Sequence, residues 1–85
     1  MFSRTDDLHR QLSALVDTAT DDERAELREI QPRVGWRGGG GLTLPHGNAA
    51  AALAVIATAE DEEWEGRLPH GSAQRLRHQL RALLR

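Results

Sequence analysis

Four histidines, His9, His46, His70 and His78, have the widest chemical repertoire in this 85-residue chain. Neutral imidazole can ligate zinc or move a proton near physiological pH. His46 and His70 hold equivalent places in a near-repeat: Leu44-Pro45-His46-Gly47-Asn48-Ala49 recurs 24 residues later as Leu68-Pro69-His70-Gly71-Ser72-Ala73. No pair of histidines has the i, i+4 spacing of a metal-binding helix, and no Cys or Asp is placed to complete a ligand set. Turn-exposed histidines are the expectation, with neither metal nor cofactor.

Other chemistries find as little to work with. Cysteine is absent, which removes disulfides, thiolate zinc sites and cysteine nucleophiles. All eleven basic residues are arginine, which excludes a Walker-type phosphate loop, a Schiff-base lysine and a Ser–Lys dyad. That bias also fits the codon usage of a GC-rich, bacterial genome. Glycines 38 to 41 resemble a phosphate cradle only in composition, because Leu42-Thr43-Leu44-Pro45 separates them from the next helix start. None of Ser3, Ser13 and Ser72 stands in a nucleophile elbow. The carboxylates of residues 60–65 read as a solvated face rather than a catalytic pair. The chain is therefore not expected to be an enzyme.

Charge offers more. Residues 60–65 hold five acids and no base, while residues 67–85 hold five arginines and no acid. Arg77, Arg81 and Arg85 recur at i, i+4, i+8 as one helical ridge, with Arg75 beside it. The plain account is pairing within the chain, worth little per exposed pair. The alternative is a docking surface, with Arg75, Arg77, Arg81 and Arg85 opposite Glu62 and Glu63, and Trp36 as an aromatic anchor. Net charge is −2, so no global field draws the chain to nucleic acid or to an anionic membrane.

Helices must position these groups. Twelve leucines and twelve alanines, with few β-branched or aromatic residues, indicate an all-α fold. Residues 1–85 are expected to form a single small helical domain, a compact bundle of four or five helices. A first helix begins at Thr5-Asp6-Asp7 and buries Leu8, Leu12, Leu15 and Val16. Thr20 and Glu23 form a capping box for a second, which buries Leu27 and Ile30 and stops before Pro32. Between helices two and three, Val34 and Trp36 alternate before the glycines and Leu42 and Leu44 after them, the pattern of a small β-hairpin or of a Gly-rich loop over the core.

Each Leu-Pro-His-Gly copy predicts a helix start, with Asn48 and Ser72 as side-chain caps. The third helix is apolar on every side from Ala49 to Ala57, as befits a helix enclosed by neighbours. It continues to about Glu65 and ends at Gly66, or kinks near Thr58 to Glu60; Trp64 falls on its Leu53–Ile56–Glu60 stripe. The fourth helix buries Leu76, Leu80, Leu83 and Leu84. The nine-residue run Ala49–Ala57 is too short to span a membrane and the first residues lack a secretory signal, so a cytoplasmic protein is expected.

The function these features favour is a protein–protein interaction module: an adaptor, regulator or small subunit that binds a protein partner or self-associates. In size and helix content the chain is similar to small helical adaptor domains, including the death-fold class, and the resemblance implies assembly through oppositely charged helical faces. The alternative is a small nucleic-acid-binding regulator using the arginine ridge, although the first two helices carry eight acids against four arginines. The core assignment is testable. Leu53→Asp and Leu80→Asp each put an unpaired carboxylate into the core and are expected to unfold the domain, a loss above about 4 kcal/mol. A cooperative melt and intact helical circular dichroism in either variant would refute that assignment.

Overall fold

A computed structural model describes residues 3–30 and 46–85, and these form four helices with no strand: α1 (Arg4–Asp17), α2 (Asp21–Ile30), α3 (Gly47–Trp64) and α4 (Ser72–Leu83). The hairpin-or-loop alternative and Trp36 lie outside the described residues. α1, α3 and α4 pack against one another, and α2 packs on α3. No helix among the described residues is long and apolar enough to cross a membrane.

The apolar stripes form the core as their spacing requires. Leu8, Leu12 and Val16 of α1, Leu27 of α2, and Leu76, Leu80 and Leu84 of α4 and its cap are buried; Leu15, Ile30 and Leu83 are partly buried against them. α3 lies at the centre, with Ala49, Ala52 and Ala59 fully enclosed beside Leu53 and Ile56. Alanine has little side chain to hold a neighbour away, so α3 can touch all three other helices at close range.

Local chemistry sets the helix ends. α1 starts one residue earlier than its acidic pair suggested, because Ser3 caps it: the Ser3 Oγ accepts from the Asp6 N–H at 3.1 Å. Thr20 and Glu23 make the expected capping box, with reciprocal bonds of 3.1 and 2.8 Å. α3 is one continuous helix through Thr58–Glu60, with no separate short helix after it. It ends in a Schellman motif at Gly66, in which the Arg67 N–H reaches the Glu62 carbonyl at 2.7 Å and the Gly66 N–H the Glu63 carbonyl at 3.0 Å.

The described part of the first copy, His46-Gly47, and the second copy stand at the starts of α3 and α4, but Asn48 and Ser72 do not cap them. Each helix is capped by a carboxylate from an earlier helix. Glu23 accepts from the Asn48 N–H at 2.8 Å, while Glu26 accepts from the His46 N–H at 3.3 Å. At the second copy Glu63 does both jobs, accepting from the Gly71 N–H at 2.9 Å and the Ala73 N–H at 3.0 Å. Asn48 is thereby freed to donate to the Leu15 carbonyl (2.9 Å) and Thr18 Oγ1 (2.8 Å), tying α3 to the end of α1. Ser72, buried, donates to the Pro69 carbonyl at 2.6 Å.

Both repeated glycines take a left-handed backbone, and at the first copy the missing Cβ also makes room for the capping carboxylate. Gly47 and Gly71 have φ of +55° and +90°, and a Cβ on Gly47 would stand 2.0 Å from the Glu23 Oε2. A Cβ on Gly71 meets nothing closer than 4.0 Å. Gly71→Ala is therefore expected to cost about 1–2 kcal/mol from left-handed strain alone. Gly47→Ala is expected to cost more, since it also evicts the capping carboxylate. Denaturant unfolding of the two variants checks this order, and equal or reversed losses would refute it.

Candidate functional site

The last buried residue of α3 is Ala59, and the helix runs on for more than a turn beyond it. The side chains of that overhang, with the start of α4, line an open groove of about 430 Å³ formed by Glu60, Glu63, Trp64, His70, Ala73 and Arg77.

Glu60 and Arg77 form its charged floor. Their Oε2 and Nη2 atoms are 2.6 Å apart, with the side chains only 24% and 18% exposed. An ion pair so sheltered is costly to break, because the survivor is left charged and unpaired. The second Glu60 oxygen, Oε1, is buried and has no hydrogen-bond partner, the one such side-chain atom among the described residues. A buried acceptor left unmade costs about 1–3 kcal/mol.

Glu63 forms one wall. The N–H groups of Ala73 and then Gly71 hold its carboxyl below the ordinary value of 4.5, since they bind only the ionised form well. The exposed His70 ring lies with its Nδ1 3.6 Å from the Glu63 Oε2. Trp64 stands one turn beyond Glu60 at the mouth of the groove. Although it shares the Leu53–Ile56–Glu60 face by periodicity, it is 91% exposed, because the helix has outrun the core at that height.

The sequence-derived candidates divide between this groove and other tasks. Arg77 and Glu63 are in the groove. Glu62 is turned to Arg4, whose guanidinium grips it with two bonds of 3.0 and 2.8 Å and depresses its pKa. Arg75, Arg81 and Arg85 are exposed; Arg75, two residues from both Ala73 and Arg77, projects from the far side of α4, and Arg81 is already engaged within the chain. Glu60 and Trp64 were not singled out as a site. Their signal was an i, i+4 pair in which a lone tryptophan sits inside an acidic run.

The histidines are separate. His9 Nδ1–H donates to the Gln79 Oε1, and the Gln79 amide donates in turn to the His9 carbonyl (2.9 Å) and Ser13 Oγ (2.7 Å), clasping α1 to α4. His46 precedes α3, and His78 is exposed beside Gln74. Among the described residues no group of three or more acidic or histidine side chains is arranged to hold a metal. A second groove of about 370 Å³ crosses α1 and α3 over Leu8, Ala51, Ala54 and Val55, and is mainly apolar. Compared with known proteins, the chain matches no family model, and no curated protein or solved structure matches it either.

The depressed carboxyls of Glu23, Glu62 and Glu63 fix the sign of the acid response. A group whose folded pKa is lowered stabilises the fold fully above its unfolded value and loses that effect as pH falls through the folded value. The melting temperature is expected to be flat above about pH 4.5 and to fall below it. Glu63→Gln is expected to lower stability by about 1 kcal/mol at pH 7, roughly 4–8 °C in melting temperature, and to make the acid limb shallower. Thermal melts from pH 7 to pH 3 test this, and an acid limb identical to that of the parent would refute the role of Glu63.

Proposed function

We propose that this domain is a protein–protein interaction module, an adaptor, regulator or small subunit, and that it docks at the α3–α4 groove. The observation that carries the proposal is Trp64, a large apolar side chain 91% exposed among the residues that line the groove. Tryptophan and arginine dominate the energetics of interfaces, where a few anchors supply most of the binding. The groove supplies both types, Trp64 at its rim and Arg77 at its base.

The nucleic-acid reading has less support. Arg77, the first member of the ridge, is committed to Glu60, and the first turns of α1 and α2 carry Asp6, Asp7, Asp21 and Asp22, which repel a polyanion.

The immobilised domain is expected to retain a protein partner, from its host lysate or from added copies of itself. Trp64→Ala should weaken that retention at least about tenfold, while the double variant Arg75→Glu, Arg85→Glu leaves it intact. Quantified pull-down decides between the readings. Retention lost only in the arginine variant, or binding of nucleic acid through those arginines, would overturn docking at the groove.

A further inference from the structure

We infer that α2 is a detachable strap: it fastens one end of an α1–α3–α4 bundle and undocks from it as a unit while that bundle stays folded. The inference concerns the end of the molecule away from the groove and does not depend on the interaction reading.

Among the described residues, four charged side chains of α2 hold the ends of the other three helices. Arg24 donates to the Val16 and Asp17 carbonyls closing α1. Glu23 accepts from the Asn48 N–H opening α3, and Glu26 from the His46 N–H just before it. Arg28 donates to the Leu84 carbonyl that follows α4. None of these four side chains is buried. Water can take the place of either partner in such bonds, so each contributes modestly to net stability.

The apolar anchoring of α2 is slight. It buries one side chain, Leu27, with Ile30 partly covered. By contrast α1 buries Leu8, Leu12 and Val16, and α3 buries six residues. α1, α3 and α4 pack against one another, whereas α2 packs chiefly on α3. Apolar burial is the dominant favourable term in folding, so detaching α2 forfeits little of the core and separating the other three forfeits most of it.

The three-helix bundle also has fastenings of its own. Arg4 of α1 holds Glu62 of α3, Arg77 of α4 holds Glu60, and Glu63 accepts from the Gly71 and Ala73 N–H groups. Gln79 joins α4 to His9 and Ser13 of α1 midway along the bundle. None of these bonds involves α2, so they persist when it leaves. α2 itself comes away whole, because ten residues without neighbours are too few to stay helical in water. The helix ends it satisfied lose their partners in the same step.

Native-state hydrogen exchange at low denaturant tests this, together with the variant Leu27→Asp. The amides of Ala25 to Ile30 are expected to share one opening, at least about a hundredfold more populated than that of the Leu53, Leu76 and Leu80 amides. That opening should rise with denaturant, but less steeply than global unfolding, since it exposes less surface. Leu27→Asp is expected to keep a cooperative melt while losing the helical signal of ten residues, unlike Leu53→Asp and Leu80→Asp. Protection of α2 equal to that of α3 and α4 overturns the proposal. So does α2 exchange that is indifferent to denaturant, which marks fraying residue by residue rather than release of a unit. A Leu27→Asp chain without a cooperative melt overturns it as well, because the rest of the fold then requires α2.

Discussion

The peptide groups at helix ends have no partner within their own helix, and in this domain side chains from other helices supply those at the end of α1, at the starts of α3 and α4 and just after α4. The carbonyls closing α1 take hydrogen bonds from Arg24 of α2, which reaches Val16 (3.1 Å) and Asp17 (3.2 Å), and from Asn48 of α3, which reaches Leu15. The amides opening α3 are met by α2, those opening α4 by α3, and the Leu84 carbonyl that follows α4 by Arg28 of α2, at 2.9 Å. Each bond contributes only modestly to net stability. Their larger effect is that the end of α1 and the starts of α3 and α4 are fully satisfied only when neighbouring helices are docked. A chain of this size, with a core of leucine and alanine, gains cooperativity from that dependence.

The candidate groove inherits its rigidity from the same bonds. Glu63 cannot leave the groove wall without uncapping α4, and Gly71 cannot be replaced without straining the turn that brings His70 and Ala73 into place. Arg77 is held from α4 and Glu60 from α3, so their ion pair also reports the distance between the two helices. The second Glu60 oxygen lies in that frame buried and without a hydrogen-bond partner.

The helical stripes, the Thr20–Glu23 box and the end of α3 at Gly66 were legible in the sequence because each is decided within a few residues. The caps of α3 and α4 were not. Asn48 and Ser72 are adequate caps by local rules, and nothing local shows that Glu23, 25 residues before Asn48, reaches its N–H first. Trp64 failed for a related reason. Periodicity assigns it a face of α3 correctly but does not say how far along the helix its neighbours extend. Of the candidate site, Glu63 and Arg77 were readable as charges, whereas the recess that joins them to Glu60 depends on a contact across 17 residues.

Segregation of charge along a chain need not become segregation on its surface. Here the acidic block is used up internally: Glu60 by Arg77, Glu62 by Arg4, Glu63 by the amides of α4 and Glu65 by Arg67, with Asp61 engaged as well. Two of those arginines come from the basic block and one from the first turn of α1, so the two blocks cancel where the chain folds back on itself. An interface built on opposed charged faces then has few charges left to oppose. What the overhang of α3 leaves exposed is the apolar ring of Trp64, and apolar area distinguishes partners by shape rather than by net charge. Any recognition at this face should accordingly vary little with ionic strength, in contrast to the steep salt dependence that a polyanion held on the arginine ridge would show.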